Sequence, residues 1–89
     1  MYRWEIDYPH FEIVGDRGHV VYSYLLEGGH IYVGQTKRFH HRITEHLSDG
    51  WEIRKWQVLA GNLTRRQAEA LELAFAKFYC KAGFRVYWR

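Results

Sequence analysis

A chain of 89 residues with a formal net charge of +3 is one domain, because it is too short to bury two separate cores. At this size folding removes only roughly 60% of the unfolded chain's surface from water, so the 18% of residues that are aromatic form a compact core filler. One cysteine, Cys80, excludes an internal disulfide framework, and no run approaches the ~18 apolar residues of a membrane span.

In chain order, residues 2–14 alternate loosely (Tyr2, Trp4, Ile6, Tyr8) before reaching Phe11-Glu12-Ile13-Val14. This pattern predicts one or two strands broken at Pro9, since proline cannot donate to a central ladder. Residues 1–18 are an N-terminal extension of a single 1–89 domain, and no charged-then-apolar leader opens them. Residues 19–26 and 30–35 are two β-rich runs around Glu27-Gly28-Gly29. They predict a hairpin, because Gly-Gly accepts the positive φ of tight primed turns. Residues 36–48 predict a helix in which Phe39, Ile43 and Leu47 repeat every four positions, with Arg42 and His46 on the edge of that apolar face. On a lone helix those two are ordinary solvated side chains; on a helix packed against the sheet just after Gly34 they point back toward the preceding strands. Asp49-Gly50 ends the helix, with glycine suited to the left-handed C-terminal position.

Lys55 to Ala60 reads as a third strand, and Gly61-Asn62 turns the chain. Thr64 and Gln67 match a capping box that opens a second helix running to about Ala82 and stopping at Gly83. Its apolar face is Ala68, Leu71, Phe75, Phe78 and Tyr79, with Glu72 inside the stripe and Glu69 toward its margin. An unpaired carboxylate in an apolar face is costly, so Glu72 is expected either in an internal salt bridge, with Arg42 as partner, or on a metal ion. Cys80 reads as a small buried apolar residue. Phe84-Arg85-Val86-Tyr87-Trp88 alternates and returns as a final strand. The class is α+β: a small, mostly antiparallel sheet of three or more strands flanked by two main helices.

The succession Val20-Val21-Tyr22, Tyr32-Val33-Gly34, then Arg42 and His46 in one helix and Glu72 in a later one, resembles the GIY-YIG nuclease domain from about Val20 to about Tyr79. No single tripeptide is specific; the positions in order carry the likeness. The resemblance implies an endonuclease that hydrolyses DNA phosphodiester bonds with little intrinsic sequence specificity, using one Mg²⁺ (or Mn²⁺) ion, with RNA not excluded as substrate. By the same resemblance Tyr22 is the general base, Tyr32 orients the water or the phosphate, and Glu72 holds the metal. Arg42 offers a planar fork to the non-bridging oxygens, and His46 hydrogen-bonds Tyr22 or the phosphate. A tyrosine of ordinary pKa ~10 needs a downward shift of roughly two to three units to work near neutrality, which Arg42, Lys37 and a metal-bound water are expected to supply. Gly34 lets helix and backbone approach the site. Lys37, Arg38, His40, His41, Arg65 and Arg66 form the basic substrate-binding surface, in keeping with the net charge. Val20 stands where the family tripeptide has glycine, and no asparagine follows Asn62, where many members carry one after the glutamate helix. Tyr24 shares a strand face with Tyr22 and is its rival as base.

Other constellations are weaker. His40, His41 and His46 have loosely zinc-like spacing but lack the Cys or further His of a structural site, and Ser23, Ser48 and Cys80 lie in no nucleophile elbow. The alternative to a nuclease is a non-catalytic nucleic-acid-binding module on the same fold. The compact form is most like nucleases of the toxin-tip or small phage and bacterial type, for which an inhibitory or delivery protein is a fitting partner. Such a protein works in the cytoplasm of the producing or the target cell, away from membranes.

Overall fold

The computed structural model describes residues 18–88, so the strands expected within 2–14 lie outside it. The chain runs β1 (His19–Leu26), β2 (Ile31–Thr36), α1 (Phe39–Ser48), β3 (Ile53–Leu63), α2 (Arg65–Lys81) and β4 (Val86–Trp88). β1 and β2 form the expected hairpin, turned through Gly28 and Gly29 at φ of +92° and +88°. That backbone suits a residue without Cβ. The register pairs Tyr22 with Gly34 and Tyr24 with Tyr32. β3 adds antiparallel to the other edge of β1, and β4 adds parallel to β2 from Ile31 to Val33, giving the order β3-β1-β2-β4. The sheet is therefore mixed, because the chain returns to it through α2, a crossover that brings the next strand back in the same direction.

Alternation along β1 separates two layers. Val20, Tyr22 and Tyr24 face α1, where they pack with Phe39, Ile43 and Val58. Val21, Ile31 and Val33 face α2, where they pack with Ala68 and Ala76. A sheet covered on both faces explains why β1 is apolar or aromatic almost throughout.

Helix boundaries and faces differ in detail from the sequence pattern. α1 begins after Thr36, which stays in β2 while its hydroxyl accepts the Arg38 backbone N–H at 3.0 Å. Phe39 and Ile43 are buried but Leu47 is exposed, since the helix meets the sheet only through its first two turns. β3 is longer than expected because pairing continues along the whole of β1. The capping box of α2 is complete: Gln67 N–H donates to Thr64 Oγ1 at 3.1 Å, and Thr64 N–H donates to Gln67 Oε1 at 3.0 Å. The buried stripe of α2 is Ala68, Glu72 and Ala76, flanked by Leu71, Phe75 and Tyr79. With Tyr79 turned inward, its neighbours Phe78 and Cys80 are rotated away, and both are exposed rather than packed. No helix among the described residues is long and apolar enough to cross a membrane.

Candidate active site on the tyrosine face

The hairpin register sets three tyrosines side by side on the α1 face. Ring centroids are 5.1 Å apart for Tyr22 and Tyr24, 6.1 Å for Tyr22 and Tyr32, and 5.7 Å for Tyr24 and Tyr32. Gly34 makes this possible. A Cβ built on it would lie 2.6 Å from the Tyr22 hydroxyl oxygen and 2.9 Å from the Tyr32 ring, so the Tyr22 ring fills the space a side chain would need. Gly34 thus admits the Tyr22 ring, a different use of its missing side chain from the expected approach of helix and backbone.

α1 carries Arg42 and His46 one turn apart; His46 meets the Tyr24 and Tyr32 rings edge-on, and Arg42 is close enough to act electrostatically on Tyr22 and Tyr24. His46 Nδ1 lies 2.9 Å from the hydroxyl of Tyr24 and not of Tyr22, which with the phosphate was one of the two partners expected for it. The Tyr22 hydroxyl is buried with no hydrogen-bond partner among the described residues. Trp51, just beyond α1, stacks on His46 with centroids 4.0 Å apart and planes 13° apart. It also meets the Tyr32 and Tyr24 rings edge-on at 5.0 and 6.0 Å. Trp51 is the member of this cluster with no assigned task in the sequence reading, and Tyr24 had one only as the rival of Tyr22 for base. The odd-even alternation of β1 placed Tyr24 on the right face, but no local signal joins Trp51 to a helix that has already ended at Asp49.

The electrostatics reverse one expectation. Burial pushes the Tyr22 hydroxyl well above the ordinary tyrosine value, the neighbouring Tyr32 and Tyr24 hydroxyls add to this, and Arg42 opposes it. Tyr24 is raised in the same way, again by burial first and against the pull of Arg42. In the free protein both are firmly protonated, because loss of water around a phenolate outweighs one half-exposed guanidinium. His46 is lowered below its ordinary value, by burial and then by Arg42, with Glu45 and Asp49 acting the other way. The ion pair that the structure gives Arg42 is with Glu45, at 3.5 Å, in place of the suggested bridge to Glu72.

Glu72 belongs to the other layer. It is 4% exposed, one turn from both Ala68 and Ala76, on the stripe that faces Val21 and Val33. Those two valines adjoin Tyr22 and Gly34 in sequence but point to the opposite side of the sheet. β4 covers the outer edge of β2 only from Ile31 to Val33. From Gly34 to Thr36 that edge has no partner strand among the described residues. Gln35, cross-strand from Val21 and so on the α2 side, has its Oε1 buried without a partner among the described residues.

A divalent ion is tested against this donor set. Among the described residues no group of three or more His, Cys, Asp and Glu is placed to hold a metal. Mg²⁺ needs less than that from protein, since it keeps several waters and binds through one or two carboxylates plus substrate phosphate. A buried carboxylate and a buried amide oxygen on one side of the sheet are hard-oxygen donors of the right kind.

The basic residues are gathered by topology. Val20 pairs with Thr36 and His19 with Leu63, so the strand ends leading into α1 and α2 both lie beside the start of β1. Lys37, Arg38, His40 and His41 on one connection, and Arg65 and Arg66 on the other, therefore stand at one end of the sheet. His41 lies 3.8 Å from Glu45, and Arg65 donates to Glu69 at 3.1 Å; these are exposed contacts that a phosphate would readily displace. Neither helix has an acidic residue in its first turn. Both N-termini thus keep the favourable field for anions. Comparison of the chain with protein-family models, curated proteins and solved structures finds no match.

Proposed function

We propose that the protein is a compact, divalent-metal-dependent endonuclease that hydrolyses DNA with little sequence specificity. The observation that carries this reading is the packing of Tyr22, Tyr24, Tyr32 and His46 within electrostatic reach of Arg42, next to the sheet end where both helix N-termini bring basic side chains. Aromatic hydroxyls near a guanidinium suit a phosphoryl group: Arg42 binds non-bridging oxygens through its fork as charge accumulates on them. Tyr32, half-buried where Tyr22 and Tyr24 are fully enclosed, orients the attacking water or the phosphate. Tyr22, having first released its own hydroxyl proton to solvent, takes the proton from that water as the phenolate. Its raised pKa in the free protein means that this step requires positive charge arriving with the substrate in addition to Arg42. Glu72, buried on the α2 side of the sheet, would hold one Mg²⁺ or Mn²⁺, which when bound would supply positive charge to the scissile phosphate.

The second reading, a nucleic-acid-binding module without catalysis, draws on the same basic end of the sheet. Mg²⁺-dependent loss of supercoiled plasmid, run beside a gel shift on the same DNA, separates the two. Cleavage supports the nuclease. A shift without cleavage in either Mg²⁺ or Mn²⁺ overturns it in favour of the binding module. The compact form is consistent with a delivered toxin or a mobile-element enzyme, with an inhibitory or delivery protein as partner.

A further inference from the structure

We propose that Trp51 is a positioning residue of this site: together with the Tyr24 hydroxyl it clamps the His46 ring in one orientation, with Nδ1 turned into the fold and Nε2 left for substrate. This rests on the nuclease reading for its purpose but not for its geometry. Four contacts define the clamp. The indole lies parallel to the imidazole at 4.0 Å, so the ring cannot tilt. The Tyr24 hydroxyl holds Nδ1 at 2.9 Å, so it cannot flip without losing a hydrogen bond. Tyr24 and Tyr32 meet the imidazole at nearly right angles, at 5.5 and 5.9 Å, and close its remaining sides within the fold.

Trp51 is in turn anchored. Its backbone N–H donates to the carbonyl of His46 itself at 3.1 Å, so the chain leaving α1 folds back over the helix's last turn. Gly50, at φ +92°, makes that reversal. The indole therefore belongs to the same rigid corner as the imidazole it covers. A histidine held this way presents a fixed donor or acceptor through Nε2, according to its tautomer. A freely rotating one would meet a phosphate oxygen or a water only part of the time, and misplacement by ~1 Å is enough to cost on the order of 10²-fold in rate.

The clamp also sets how His46 titrates. The charged and titratable groups facing it are Arg42, Glu45 and Asp49 from α1 and its cap, Tyr24 from β1 and Tyr32 from β2. Removing the indole leaves all of these in place and changes only solvent access to one ring face. The titration of His46 followed by NMR, in the intact 89-residue chain, is therefore a direct readout. Trp51→Ala should raise the His46 midpoint toward the ordinary value of about 6.5 and, on plasmid, lower cleavage about 10²-fold. Trp51→Phe, which keeps a flat ring over the imidazole, should hold the midpoint near wild type and recover most of the activity. Tyr24→Phe should release Nδ1 without exposing the stacked face. An unmoved His46 midpoint in Trp51→Ala, with the amide spectrum showing a folded protein, overturns the clamp. So does a Phe variant as impaired as the Ala variant. The titration uses no substrate, so it decides the clamp even where the plasmid assay goes against the nuclease reading.

Discussion

Tyr22 has a hydroxyl that the fold encloses with no well-formed hydrogen bond among the described residues, although the Tyr32 and Tyr24 hydroxyls are near enough to interact with it. A buried unsatisfied polar group costs about 1–3 kcal/mol, so Tyr22→Phe should stabilise the protein, by about 1 kcal/mol or roughly 4–8 °C in Tm for a domain of this size. If Tyr22 is the base, the same variant should lose at least ~10²-fold in cleavage. Higher Tm with unchanged cleavage would remove Tyr22 from the mechanism and leave Tyr24 as the remaining buried candidate. The pH dependence has a definite sign. Tyr22 and Tyr24 are raised in the folded state, so their contribution to stability is present below the unfolded value of ~10 and is lost as pH climbs above it. Stability measured by denaturant should fall above pH ~10, less steeply in Tyr22→Phe. His46 is lowered, so its contribution is present above ~6.5 and is lost as pH falls through its folded value, a loss that His46→Gln should abolish. Arg42→Lys should be nearly as damaging to cleavage as Arg42→Ala, about 10²–10³-fold, if the fork geometry matters; a lysine variant retaining about a third of the activity would reduce Arg42 to a general cation. Glu72→Gln keeps volume and removes charge, so cleavage should vanish while the melting curve remains cooperative, and wild-type cleavage by this variant would end its assignment to the metal.

Elements place these residues, and two positions test how. Gly34→Ala would set a Cβ 2.6 Å from the Tyr22 hydroxyl oxygen and 2.7 Å from its ring carbon Cζ. Neither ring is the loose end of a flexible chain, so β2 or Tyr22 must move, at about 1–3 kcal/mol. Cleavage should fall with it, and restoration of activity in a Gly34→Ala, Tyr22→Phe double variant would exclude Tyr22 as base. Thr64→Ala removes one half of the capping box of α2 and should cost about 1 kcal/mol, read as a fall in Tm without effect on His46 titration. The hairpin and this cap were legible because each rests on a local rule: Gly28-Gly29 for the turn, Thr64 and Gln67 for the helix start. The inward face of α2 was only half legible. A period of four placed Glu72 inside, while Phe78 was drawn in by its hydrophobicity although Ala76 takes that place against the sheet. The partner of His46 was not legible at all, since Tyr22 and Tyr24 share a strand face and only the height of α1 over the sheet selects between them.

At the scale of the molecule, the arrangement is a sheet with the tyrosine cluster on one side and the Glu72 carboxylate on the other. Among the described residues the outer edge of β2 is unpaired from Gly34 to Thr36, because β4 is three residues long and pairs only with Ile31, Tyr32 and Val33. The parallel direction of β4 was hidden from the sequence, where alternation in residues 84–88 marks a strand without saying which neighbour it joins. Its lateness in the chain has a consequence for assembly. The β1–β2 hairpin and its pairing with β3 involve only residues up to Leu63, so a three-stranded sheet can form before β4 docks. Until it does, the outer side of β2, which has no other partner strand among the described residues, offers bare amides and carbonyls to any extended chain nearby, a template for mispairing between neighbouring molecules. Three residue pairs then remove half of it, and the half they leave is the rim at Gly34. A variant whose β4 fails to dock is therefore the form of this protein most exposed to aggregation.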